Sequence, residues 1–210
     1  ALETGPAPTL RRRLAQLYIK SGRLEEAGKQ IELGLQADPN DVSLLQLQGG
    51  VAAALKDLPT AAATYRKIIK LQAPDNEESY IMLASLYAQE GKLEESRAVL
   101  QELLAEKPNS VFGHYYLGRI SEVAGKLDEA KEHYRHALKI NSDADVIQLD
   151  LARVLIRQER EGEAKELLKE ILRGNKNNAS ARRLLAQLLL KENKLSEAQE
   201  QFEALDQLES

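Results

Sequence analysis

Two sets of small residues, spaced at one constant interval, constrain this chain more than any other feature. Ala15, Gly49, Ala84, Gly118, Ala152 and Ala186 follow one another at steps of 34, 35, 34, 34 and 34 residues. Ala27, Ala61, Ser96, Ala130, Ala164 and Ala198 repeat those steps, each twelve residues after its counterpart. If about one residue in four is Ala, Gly or Ser, twelve such matches arise by chance with a probability on the order of 10⁻⁷. The chain is therefore an internal repeat. A repeat array builds its core by stacking like units, not by closing around a centre.

Two small sites per repeat have a physical reason if the unit is a pair of helices. Ala or Gly at a helix crossing lets the axes approach, and a larger side chain would force them apart. Large apolar residues follow the second small site at Ile31, Tyr65, Leu100, Tyr134, Leu168 and Phe202, one helical turn on, where they can fill the gap to the next pair. Composition agrees: 43% of residues are hydrophobic but only 4% aromatic, so the apolar content is mostly Leu and Ala, which favour helix over strand. Gly22, Gly91 and Gly125 fall where a first helix should end in a left-handed residue, and Lys56, Glu159 and Asn193 occupy the same site in the other units. Glu25-Glu26, Glu94-Glu95 and Asp128-Glu129 then open second helices, where they complement the helix dipole. Breaks are expected at Asp38-Pro39-Asn40, Ala73-Pro74-Asp75-Asn76, Lys107-Pro108-Asn109, Asn141-Ser142-Asp143 and Asn175-Lys176-Asn177-Asn178.

The 34-residue period and the order Leu-small, Tyr, Gly, Glu-Glu-Ala, large apolar, Pro resemble the tetratricopeptide repeat (TPR). That resemblance implies an all-α fold, a right-handed α-solenoid of six tandem helical hairpins with about twelve helices. The units would be residues 8–41, 42–76, 77–110, 111–144, 145–178 and 179–210, after a flexible leader of residues 1–7. Departures are visible. The site that usually carries Trp holds Arg11, Leu45, Tyr80, His114, Gln148 and Arg182, and the last three units lack the terminal Pro.

Catalytic signatures are missing from the sequence. There is no cysteine, hence no thiolate nucleophile, thiolate metal site or disulfide. No Gly-x-Ser-x-Gly, His-Glu-x-x-His or Gly-x-Gly-x-x-Gly occurs, and Gly113-His114-Tyr115-Tyr116-Leu117-Gly118 lies inside a helical pattern without the Lys-Ser/Thr of a phosphate loop. His133 and His136 stand three apart on one predicted helix with no accompanying ligands, so two solvated imidazoles are expected there, and His114 is expected as a packing residue. No enzyme activity, cofactor or metal is expected. The net charge of −4 gives no reason to expect nucleic acid, and no apolar run is long enough for direct membrane insertion. The first residues, Ala1-Leu2-Glu3-Thr4-Gly5-Pro6, lack an initiator Met, which points to a processed chain or a fragment.

What remains is a surface for binding. The resemblance implies that first helices line an inner groove on the face not used for packing. In the first two units that face carries Thr9, Arg12, Arg13, Gln16, Ile19 and Lys20, then Ser43, Gln46, Leu47, Gly50, Ala53 and Ala54. In the fourth it carries Phe112, Tyr115, Tyr116, Arg119, Glu122 and Val123, and in the fifth Val146, Leu149, Asp150, Arg153, Ile156 and Arg157. Over all six stripes, eight basic residues face three acidic ones, although the whole chain is acidic. The expected ligand site is Met82, Phe112, Tyr115, Tyr116, Arg119, Arg153 and Arg157. Aromatic and Arg anchors of that kind suit a protein or peptide partner with acidic and apolar groups. Arg119 and Arg153 are expected to form a ladder, and Lys131 to lie exposed on the opposite side. The clamp that binds chaperone tails in related proteins requires Asn where this chain has Gln16, Gly50, Ser85, Arg119, Arg153 and Gln187, so that role is disfavoured. The alternative is self-assembly through uncapped ends, since Phe202, Leu205 and Leu208 would be left partly uncovered unless more chain follows or molecules meet end to end. A helical-repeat RNA binder is a third reading, set aside for lack of a repeated polar code.

Overall fold

The computed structural model describes residues 8–72 and 77–209. The expected leader and the expected break at Ala73-Pro74-Asp75-Asn76 lie outside those residues. Among the described residues there are twelve helices and no strand. The first compact unit contains α1 (Pro8–Lys20), α2 (Leu24–Ala37), α3 (Val42–Ala54), α4 (Leu58–Gln72), α5 (Glu77–Gln89) and α6 (Leu93–Glu106). The second contains α7 (Val111–Val123), α8 (Leu127–Ile140), α9 (Asp145–Arg157), α10 (Glu161–Gly174), α11 (Ala179–Lys191) and α12 (Leu195–Glu209). In each unit every odd-numbered helix packs on the even-numbered helix that follows it, and successive pairs stack.

All twelve periodic small residues are buried. Their sizes are matched to the large residue that faces them. A Cβ added at Gly49 would stand 2.8 Å from the ring of Tyr65, and one at Gly118 would stand 2.5 Å from the ring of Tyr134. Where the first small site is Ala, as at Ala15, Ala84 and Ala152, the residue sixteen further on is Ile31, Leu100 or Leu168, each essentially inaccessible. Burial of one such side chain contributes roughly 1.5–3 kcal/mol relative to leaving it exposed. Phe202 differs, being 40% exposed on α12, and Leu208 is exposed too, whereas Leu205 is buried.

The turns inside the hairpins are set by one left-handed residue each. Gly22, Gly91 and Gly125 have φ of 73°, 75° and 75°, and Lys56, Glu159 and Asn193 hold φ near 60° at the equivalent sites. Between hairpins, side-chain caps start the next helix: Asp41 accepts from the Leu44 amide at 3.0 Å, Ser110 from Gly113 at 2.8 Å and Asn178 from Ala181 at 3.0 Å. One surface expectation needs correcting. Lys131 is only 9% exposed, its ammonium reaching Asp128 at 2.8 Å while the aliphatic stem is covered.

Candidate functional site

In the second unit the exposed side of α7 carries Phe112, Tyr115, Tyr116 and Arg119. The Ser110 cap begins this helix, and spacings of three and four keep these residues on one stripe. Leu117 and Gly118, between them, turn into the core. Phe112 is 55% exposed, and Tyr115 and Tyr116 are half-buried with their rings edge to face at 5.3 Å. The Arg119 guanidinium lies 5.9 Å from the centre of each ring, a cation–π arrangement with both.

Two hydrogen bonds tie α7 to α9 across neighbouring hairpins. Tyr115 donates to Asp150 Oδ2 at 3.0 Å, and Arg157 donates to Glu122 Oε1 at 3.0 Å. Each carboxylate has a second partner: Arg153 donates to Asp150 Oδ1 at 2.6 Å, and the buried Tyr134 donates to Glu122 Oε2 at 3.1 Å. Burial, then the Asp150 charge, pushes the Tyr115 phenol up to about 12, so it remains a donor at neutral pH. Burial and the Glu122 charge raise Tyr134 as well. The expected site residues Phe112, Tyr115, Tyr116, Arg119, Arg153 and Arg157 thus share the α7–α9 surface, but Arg153 and Arg157 are engaged by its own carboxylates. Met82 is exposed on α5, in the first unit.

Asp150 and Glu122 were missing from the expected site, although a signal for them exists. Both inter-helix bonds join residues 35 apart, one repeat plus one position, so the period itself nominates the partner. A second revision concerns the histidines. His133 and His136 are not two isolated solvated rings: His114 Nδ1 lies 3.3 Å from His133 Nδ1, and the His136 ring stacks on His114 at 5.0 Å between centres. Here too a spacing announces the contact, because Arg11–Gln30 and Arg182–Gln201 pair across their hairpins at the same separation of nineteen residues. Among the described residues no group of three or more His, Cys, Asp or Glu is arranged to hold a metal ion, and no helix is long and apolar enough to cross a membrane.

The first unit has a surface of its own. Thr9, Arg12, Arg13 and Gln16 from α1 and Ser43, Gln46 and Leu47 from α3 line an open cleft of about 450 Å³. These are the stripe positions of the first two repeats.

Stacked helical hairpins with small residues at every crossing and a polar, aromatic first-helix face have the fold of a tetratricopeptide interaction scaffold. The family model for the cytochrome c-type biogenesis protein H TPR domain matches residues 87–209, more than half of the chain, and two further tetratricopeptide repeat models match residues 52–113 and 12–77. The chain belongs to the tetratricopeptide repeat family. It is 29% identical over 156 residues to the tetratricopeptide repeat-containing protein trd-1 of Caenorhabditis elegans, a match covering 71% of this chain and 20% of that protein. The chain spans about a fifth or less of the length of the curated relatives it matches. Among solved structures, yeast Tom70 is similar with a TM-score of 0.75 and 22% identity, covering 99% of this chain and 44% of that one. The pilF protein of Pseudomonas aeruginosa has a TM-score of 0.74 and 19% identity, covering 96% and 91%. At such identities the likeness is one of fold.

Proposed function

We propose that the chain is a non-catalytic scaffold and that the shared first-helix face of α7 and α9 holds a peptide segment of another protein. The observation that carries this reading is apolar surface left beside a pre-set polar network. Phe112 is 55% exposed and Val146 60% exposed, and they share this face with the Tyr115–Asp150–Arg153 and Tyr134–Glu122–Arg157 bonds. Rings of this kind supply contact area with few rotors to freeze, and fixed polar groups do not have to be ordered when the ligand arrives. Arg119 has ring partners but no carboxylate among the described residues, which makes it the cation for an acidic group of the ligand.

The test uses a peptide selected on the whole protein from a random library, with affinities measured by fluorescence anisotropy. Truncating an anchor typically costs about 2 kcal/mol or more of binding. Phe112→Ala and Tyr116→Ala should weaken the peptide to that extent, and Lys139→Ala, at an exposed position of α8, should not. Equal affinity in all three variants would remove α7 from consideration.

The match over residues 87–209 supports a second, more specific reading, a part in cytochrome c biogenesis. Loss of the gene would then lower the haem-stained c-type cytochromes of its host, and unchanged levels would exclude it.

A further inference from the structure

Each unit has an open groove at the same place in its repeats, and the two grooves differ in charge. In the first unit Arg66, Ile69 and Lys70 of α4, Tyr80 of α5 and Glu102 and Glu106 of α6 line about 410 Å³. In the second, Lys169, Leu172 and Arg173 of α10, the next-following Lys176, Arg182 of α11 and Gln201 of α12 line about 470 Å³. Counted from the periodic small residues, Lys169, Leu172 and Arg173 correspond to Arg66, Ile69 and Lys70, and Arg182 corresponds to Tyr80. The first groove neutralises itself. Arg66 donates to Glu102 at 2.5 Å, and burial together with a hydrogen bond to Glu106 pushes the Tyr80 phenol up to about 12. In the second groove the counterparts of Glu102 and Glu106 are Ala204 and Leu208, and no carboxylate lines it. Lys169 meets only Glu166 of its own helix, an exposed pair at 2.9 Å. Arg182 donates to the Lys176 carbonyl and to Gln201 Oε1, both at 2.9 Å and both neutral, while the side chains of Arg173 and Lys176 have no hydrogen-bond or ion-pair partner among the described residues. We propose that the α10–α12 groove docks a helical acidic segment of a partner protein, whose two carboxylates, one turn apart, do there what Glu102 and Glu106 do in the first unit. This site is additional to the α7–α9 surface and does not depend on it.

Spacing, apolar area and surrounding charge together select that occupant. Lys169 and Arg173 stand four residues apart on α10, so their complement is a pair of carboxylates with the same one-turn spacing, as between Glu102 and Glu106 on α6. The two bonds of Arg182 engage Nε and Nη1, which fixes the guanidinium in advance and leaves Nη2 as a donor for an incoming carboxylate. Leu172 in the groove wall, and the exposed Leu208 at the site of Glu106, add apolar area that the stem of a helical segment covers and a lone phosphate leaves wet. α12 carries Glu197, Glu200, Glu203 and Asp206 exposed and no basic residue. An extended polyanion or an anionic membrane surface would meet those charges as well as the cations, whereas a short segment with two carboxylates reaches the cations alone.

The probe is a fluorescein-labelled, alanine-rich helical peptide with two central Glu at i and i+4, N-acetylated and C-terminally amidated so that no terminal carboxylate is present, titrated into the full chain at low salt. Gln at both sites gives the uncharged control, and Glu at i and i+2 gives the spacing control. A labelled oligouridylate and vesicles containing phosphatidylserine are the polyanion and membrane arms. The i, i+4 Glu peptide should bind roughly fivefold or more tightly than either peptide control, and the margin should shrink as salt is raised. Lys169→Gln combined with Arg173→Gln should abolish the margin. Ala204→Glu combined with Leu208→Glu, which gives this groove the carboxylates that the first unit has, should abolish it too. Lys139→Gln, which removes an exposed cation from α8, should leave it unchanged. The four altered groove positions are exposed or half-buried, so the helices should persist, as circular dichroism checks. Equal binding of the Glu and Gln peptides, equal binding of the i+2 peptide, or a margin that survives in either folded double variant would each overturn the proposal. So would oligouridylate or vesicles bound as tightly as the Glu peptide and released by the Lys169 and Arg173 substitutions, which would make the groove a site for phosphates. None of these outcomes decides whether Phe112 and Tyr116 anchor a ligand, so the two sites stand or fall separately.

Discussion

Replacing Gly118 with Ala should change sign with its surroundings. Added to the native backbone, the new Cβ would stand 2.5 Å and 2.6 Å from two ring carbons of Tyr134. That ring cannot easily retreat, because it is fully buried and its hydroxyl is bonded to Glu122. Overpacking of this sort costs about 1–3 kcal/mol, whereas exchanging Gly for Ala inside a helix returns about 1 kcal/mol. The single variant should therefore lose roughly 1–2 kcal/mol, the larger overpacking values prevailing against an immobile ring. Tyr134→Leu recreates the Ala84–Leu100 pairing that the chain already uses with both residues buried. In that background Gly118→Ala meets no ring and should stabilise by about 1 kcal/mol through helix propensity alone. Four proteins, wild type, two single variants and the double, complete the cycle, with urea midpoints followed by far-ultraviolet circular dichroism. Because repeat arrays can melt in parts, amide exchange along α7 serves as the local readout. If Gly118→Ala has the same effect in both backgrounds, the size matching of crossing residues is not what sets the hairpin.

The left-handed turn residues offer a second check: Lys56→Gly and Glu159→Gly should each stabilise by about 0.5–1 kcal/mol, since a side chain costs about 1–2 kcal/mol in this conformation and glycine's extra unfolded-state freedom offsets part of the gain. Asn193→Gly should gain less, and a uniform loss of thermal stability in all three would contradict the assigned conformations. Acid sensitivity should trace partly to Glu192, whose bonds to Lys165 and then Lys194 hold its carboxyl down at about 2 from an ordinary value of 4.5. A folded-state pKa below the unfolded one stabilises above the unfolded value and is lost as pH falls. The melting temperature of the wild type should therefore drop more than that of Glu192→Gln between about pH 4.5 and pH 2, and parallel curves would dismiss the pairing.

The fold was legible because each repeat states the same structural need at the same place. Small residues at Ala15 and Ala27 and their equivalents announce the crossings, and Gly22, Gly91 and Gly125 announce a left-handed turn whose register then extends to Lys56, Glu159 and Asn193. The candidate binding face was only partly legible. Helical spacing does put Phe112, Tyr115, Tyr116 and Arg119 on one stripe, but a stripe does not say which of its charges are already satisfied. That depends on the stagger between neighbouring first helices, which brings Asp150 to Tyr115 and Glu122 to Arg157. As a result Arg153 and Arg157, expected to attract acidic groups, are partly neutralised. Lys131 was misplaced for a related reason: a Lys on a helix edge can bury its stem and keep only its ammonium near solvent. The histidines came together because residues nineteen apart face each other across a hairpin, a rule visible only once three hairpins show it.

Hydrogen–deuterium exchange of the whole chain, with and without a peptide selected on it from a random library, tests the central claim most directly. If first helices form the interaction surface, added protection concentrates on α7 and α9, and the second helices α2, α8 and α10 stay unchanged. Protection confined to those second helices or to α12, with α7 and α9 unaffected, would contradict the account.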